Sequence, residues 1–224
     1  LVWTQSIGFK YLVGRLRPIL RFGLPLAPHA AMAPVLVYCE RTALARGPGL
    51  EAAALLFLAA QFATPIALLA NSTNLAFKPW SYKRMVAGEQ AEVVRASYAA
   101  MFTIALIGCV YAALLGPLLP IIVGKHLPGA IECTSLMIGA SVASAWYLIV
   151  SKGLLFVERT GTLAGISIPI HVGAAATAFV LDSPLAIAVL HLISQCLILV
   201  LVWFASHRAY PQPWLHPWTR PSSR

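Results

Sequence analysis

Apolar residues along this chain gather into six runs, near 19–39, 50–72, 97–122, 131–151, 161–181 and 184–206. Each has about the 20 residues that a helix needs to cross the hydrocarbon core of a bilayer. Turn-forming stretches separate several of them: ARGPG at 45–49, GKHLPG at 124–129, ERTG at 158–161 and DSP at 182–184. Glycine and proline in such stretches interrupt helices. The pattern predicts an all-α, polytopic integral membrane bundle of six transmembrane helices over 19–206. An N-terminal segment, 1–18, precedes it and a tail, 207–224, follows. The chain opens on Leu1 in mid-pattern and reads as the downstream part of a longer chain.

Composition supports the membrane reading. Of the 224 residues, 59% are hydrophobic and only 10% are charged, against roughly 25% charged in a soluble domain. A net charge of +9 would suggest nucleic acid in a soluble protein. Here it is read first as topology. If six spans alternate, thirteen of the sixteen Lys and Arg residues fall on one side, in the N-terminal segment, after span 2, around the end of span 4 and in the tail. Arg41, Arg46 and Lys125 fall on the other. This is a positive-inside pattern that puts both termini in the cytoplasm. Trp3, Trp80, Trp203, Trp214 and Trp218 lie near or beyond span ends on that same side, as an interfacial belt would place them. No nucleic-acid partner is expected.

The stretch NLAFKPWSYKRMVAGEQAEVVRAS, 74–97, mixes basic and aromatic residues. It reads either as a helix lying partly in the interface or as a solvated connector. The cysteines, Cys39, Cys109, Cys133 and Cys196, form no CxxC or CxxH pair, so no metal or other cofactor is expected. Span 5 carries Gly161, Gly165, Pro169, Gly173 and Thr177 at four-residue spacing. Such a stripe lets helix backbones approach closely, so Gly161, Gly165 and Gly173 are read as a packing face. A similar cluster, GASVAS, lies at 139–144 in span 4. His191 and Gln195 stand one turn apart on span 6, placed for interhelical hydrogen bonding, with a proton relay as the sharper alternative.

Spans 1, 2, 3 and 5 contain proline, and span 1 holds Pro25, Pro28 and Pro34. Proline removes a helical hydrogen bond and crowds the preceding turn. In a membrane the freed carbonyls are tolerated where protein or a water-filled cavity satisfies them. Transporters use broken helices of this kind around a central cavity. The three prolines of span 1 are therefore candidate hinges, with a fixed kink as the alternative.

ILRFGLPLAP at 19–28, the acidic–Arg pair Glu40–Arg41 and the Ala/Leu-rich GPGLEAAALLFLAAQFATPIALL follow one another along the chain. NLAFKPWSYKRM, LLGPLLPIIVGKHLPGA and ERTGTLA come next. In this order and spacing, from about 19 to 165, the sequence resembles the second half of the polysaccharide transport proteins, the Wzx-type lipid-linked oligosaccharide flippases. These belong to the multidrug/oligosaccharide-lipid/polysaccharide exporter superfamily. The resemblance implies one lobe of a two-lobe transporter of a bacterial inner membrane, with a missing N-terminal six-helix lobe. It implies a polyprenyl-pyrophosphate-linked oligosaccharide as substrate, for lipopolysaccharide, O-antigen or exopolysaccharide assembly, and other polysaccharide-assembly proteins as partners beside the lipid bilayer.

Moving an anionic pyrophosphate lipid requires fixed positive charge near a cavity, and charge in a membrane is costly and usually functional. Arg41 and Lys152 are the candidate substrate-binding residues. A local ion pair with Glu40 is the alternative for Arg41, and snorkelling to the interface is the alternative for Lys152. A cation-coupled multidrug antiporter lobe would require a buried carboxylate. All seven acidic residues are expected at loops or span ends, which counts against it. A polytopic membrane enzyme would need convergent Asp, Glu or His on a loop. The short outer loops and the lack of a DxD pair argue against an enzyme.

Overall fold

A computed structural model describes residues 9–123 and 129–218. Lys125, most of the turn at 124–129, Trp3, Arg220 and Arg224 lie outside the described residues. The described residues fold as α1 (Phe9–Arg46), α2 (Leu50–Val86), α3 (Gln90–Val123), α4 (Ala130–Val150), α5 (Lys152–Phe156), α6 (Thr160–Ala178) and α7 (Pro184–Ala209). Six segments are long and apolar enough to cross a membrane: Ile19–Arg46, Leu50–Val86, Gln90–Ile122, Ala130–Phe156, Thr160–Ala178 and Pro184–Ala209. The protein is an all-α, multi-pass membrane bundle, as the apolar runs predict.

Several helices run past the ends of the apolar runs. At 37 residues, α2 is about 55 Å long, well beyond a bilayer core of about 30 Å. The stretch at 74–97 is thus helical over most of its length and not a loose connector. It forms the end of α2, a turn at 87–89 and the start of α3. Gly88 has φ 78° there, a left-handed conformation open to glycine at little cost. Arg84 clasps the turn through an ion pair with Glu89 and a second contact to Glu92 at 3.4 Å. The proline-rich first span is likewise one helix: α1 passes through Pro25, Pro28 and Pro34 without interruption.

Short turns make sequence neighbours antiparallel, so the two ends of the bundle differ. At one end, Tyr210 after α7 donates to Met85 O at 3.3 Å and accepts from Gln90 Nε2 at 3.3 Å. Phe156 of α5 packs against Tyr82 in a tilted contact and against Tyr210 edge to face. Lys78, Lys83, Arg84, Arg95, Arg159 and Arg208 all belong to this end by their positions in the helices. The tail packs onto the same end. Trp214 is buried, and its carbonyl accepts from Tyr98 OH at 2.8 Å.

The α4 helix is the most buried and packs mainly on α2 and α7. The other contacts join α1 to α2 and α6, and α6 to α7. Those five helices close a ring, with α3 outside it against α2 and α4. Leu44, Leu56, Ile66, Ile138 and Ile187 form one apolar cluster; Val94 of α3 and Leu154 of α5 join Leu163, Ile198 and Val202 in another.

Candidate functional site

The ring borders a half-open cavity of about 840 Å³ whose wall carries both polar and apolar side chains. Its wall follows from helical periodicity, since residues three and four apart share a face. On α1 the lining positions include His29, Ala33, Val37 and Arg41, each one turn apart. On α7 they are His191, Gln195 and Ile198. The α4 face presents Ala140, Ser141, Ser144 and Tyr147, so part of the GASVAS cluster borders the cavity. Asn71 on α2 and His171 on α6 complete the polar lining.

Two polar links fasten α1 to the ring. His29 Nδ1 lies 2.5 Å from Ser167 Oγ on α6, and its Nε2 lies 2.8 Å from Tyr147 OH on α4. Eleven residues farther on, about 16 Å along the helix, Glu40 Oε1 lies 2.8 Å from His191 Nδ1 on α7. The Glu40 side chain is only 1% exposed. A buried carboxylate needs a partner, because leaving water without one costs several kcal/mol on the order of magnitude. The imidazole N–H supplies it.

This geometry corrects the expectation that every carboxylate sits at a loop or span end. The first apolar run thins out near residue 39, but α1 continues to Arg46, which draws Glu40 inside the bundle. The expected Glu40–Arg41 ion pair is absent among the described residues. Neighbouring helical positions point about 100° apart; Glu40 turns to His191 while the Arg41 guanidinium lies 4.3 Å from the Phe57 ring centroid on α2. Arg41 still lines the cavity, as does Pro34.

Lys152 lies away from the cavity lining. It is 3% exposed. Its ammonium sits 3.6 Å from the ring centroid of Phe77 and has no hydrogen-bond partner. It adds no charge to the cavity wall. Pro25 and Pro28 belong to the α1 turns preceding His29.

The glycine stripe is also corrected. Gly161, Gly165 and Gly173 are exposed, and a Cβ added at any of them would meet nothing within 4 Å. The buried face of α6 is a different one, formed by Leu163, Ser167, His171, Ala174 and Ala178. Small residues permit close approach, but the packed face here is chosen by the residues that reach His29 and the apolar cluster.

His191 was legible as an interhelical hydrogen-bonding residue. His29 and His171 were missed, although His171 is one turn from Ser167 and His29 one turn from Pro25. The signal available was a polar residue repeated inside otherwise apolar spans. Ser167 is fully buried and its hydroxyl is engaged by His29. What the wall offers is hydrogen bonding, one guanidinium and proton exchange, in a space large enough for a polar headgroup. No known protein family, curated protein or solved structure matches this chain.

Proposed function

We propose that this chain is the C-terminal lobe of a flippase that moves a polyprenyl-pyrophosphate-linked oligosaccharide across a bacterial inner membrane for cell-surface polysaccharide assembly. The observation that carries the reading is the half-open cavity bordered by a ring of membrane-length helices, with Arg41 on its wall. A guanidinium matches pyrophosphate oxygens in geometry and charge. Ser141, Ser144, Asn71 and Gln195 offer hydrogen bonds of the kind that hydroxyl-rich sugars accept and donate. The sequence resemblance supplies the substrate class, and with it a companion six-helix lobe. The protein acts as a carrier, not as an enzyme. The basic end of the bundle faces the cytoplasm in this reading, by the positive-inside pattern.

The test uses Ser144→Cys, with the four native cysteines replaced, in lipid nanodiscs. Undecaprenyl pyrophosphate is expected to protect this cysteine from a thiol reagent, undecaprenol is not, and Arg41→Ala is expected to abolish the protection. Equal protection by both lipids, or by neither, rejects the reading.

A second reading gains a specific observation. The buried Glu40 is the carboxylate that a cation-coupled multidrug antiporter lobe requires. Protection of Ser144→Cys by a lipophilic cation such as tetraphenylphosphonium, lost in Glu40→Gln, would favour that reading over the flippase.

A further inference from the structure

Hydrogen-bond partners fix which imidazole nitrogens of the cavity wall are open. His171 Nδ1 lies 2.8 Å from the carbonyl oxygen of Ser167. A carbonyl can only accept, so Nδ1 carries the hydrogen. The neutral ring then leaves Nε2 as a bare lone pair, and this atom is buried with no hydrogen-bond partner. The same logic applies to His191. Its Nδ1 faces the Glu40 carboxylate at 2.8 Å, so it donates there and leaves Nε2 as the acceptor. His29 differs, because hydroxyls engage both of its ring nitrogens.

We propose that His171 and the Glu40–His191 pair form a proton-binding site on the cavity wall, loaded at the two open Nε2 atoms. Each uptake moves one proton from water to an imidazole nitrogen and breaks no other bond. The wall becomes more positive by one charge per proton. The titratable and charged groups facing this site are His29, Tyr38, Cys39 and Arg41 on α1, Tyr147 on α4, and the two histidines on α6 and α7. The cavity face of α2 adds only the neutral Asn71 amide. Glu40 is therefore the one carboxylate among the described lining and pairing groups, and it offsets the charge that a proton on His191 brings. His171 and His191 line the same cavity, and Glu40 is paired with His191.

The consequence rests on the flippase reading. An anionic headgroup and a proton entering the same wall favour each other, and linkage makes the effect reciprocal. Acid loading would tighten pyrophosphate binding and release of the proton would loosen it.

The experiment is nitrogen NMR of histidine-labelled full chain in nanodiscs, with His171→Gln and His191→Gln identifying the signals. Near neutral pH, both residues are expected as the tautomer with hydrogen on Nδ1 and a bare Nε2. On acidification both Nε2 atoms should become protonated reversibly, while the fold is retained. Glu40→Ala removes the acceptor and should release the tautomer lock of His191 while leaving that of His171. The opposite tautomers, or Nε2 atoms that stay bare until the protein unfolds, overturn the proposal. Separately, protection of Ser144→Cys by undecaprenyl pyrophosphate should tighten about tenfold on acidification and lose most of that change in His171→Gln. No protection at any pH, with the NMR result intact, rejects the flippase reading and keeps the proton site.

Discussion

Glu40 and His191 stand 151 positions apart, yet Glu40 Oε1 and His191 Nδ1 meet at 2.8 Å inside the bundle. The pair joins the helix that enters the ring first to the one that leaves it last. Breaking such a pair from one side strands a polar group in a place where water is scarce. Glu40→Ala is expected to lower stability by about 2 kcal/mol, read as earlier thermal unfolding in detergent. Glu40→Gln retains a hydrogen-bonding group and should lose less than half of that. Equal losses for Ala and Gln would mean that the hydrogen bond contributes nothing.

That pair also shows where sequence reading stops. The six apolar runs, their turns and the basic bias were legible because hydropathy is a local property. A carboxylate near the end of an apolar run looks like a boundary. Only the position of α7 makes Glu40 an interior residue. Lys152 was legible as an unusual charge, but its burial against Phe77 depends on how far α2 extends. The glycine stripe was legible as a pattern and misleading as a contact, since periodicity defines a face without saying what it meets.

Topology can be read with two engineered cysteines in a chain freed of its native thiols. Pro48→Cys sits in the exposed turn between α1 and α2, and Ala87→Cys in the exposed turn between α2 and α3. The basic bias predicts that an impermeant reagent labels position 48 in intact cells and reaches position 87 only after permeabilisation. The reverse labelling overturns the orientation.

Glycine substitutions should separate open from crowded positions. Gly165→Leu and Gly173→Leu place their Cβ in open space, and leucine favours the helix by up to about 1 kcal/mol over glycine. The isolated chain should keep or slightly raise its thermal stability. Gly108→Ala instead would bring its methyl within 2.7 Å of Val142 Cγ2, at a cost of about 1–3 kcal/mol. Destabilisation by both leucine variants would show that the stripe is packed after all.

Lys152 allows the sharpest separation of charge from structure. Its ammonium is buried with no hydrogen bond and lies over the Phe77 ring. A ring face returns about 2 kcal/mol to a desolvated cation, less than a buried unpaired charge usually costs. Methionine has similar length and can lie on the same ring with no charge to desolvate. Lys152→Met is therefore expected to match the parent protein or exceed it by up to about 2 kcal/mol in stability. Because Lys152 does not line the cavity, the variant should also leave the lipid protection of Ser144→Cys unchanged. Loss of that protection with normal stability would return Lys152 to the substrate path, and would mean that the ring of helices opens further than this conformation shows.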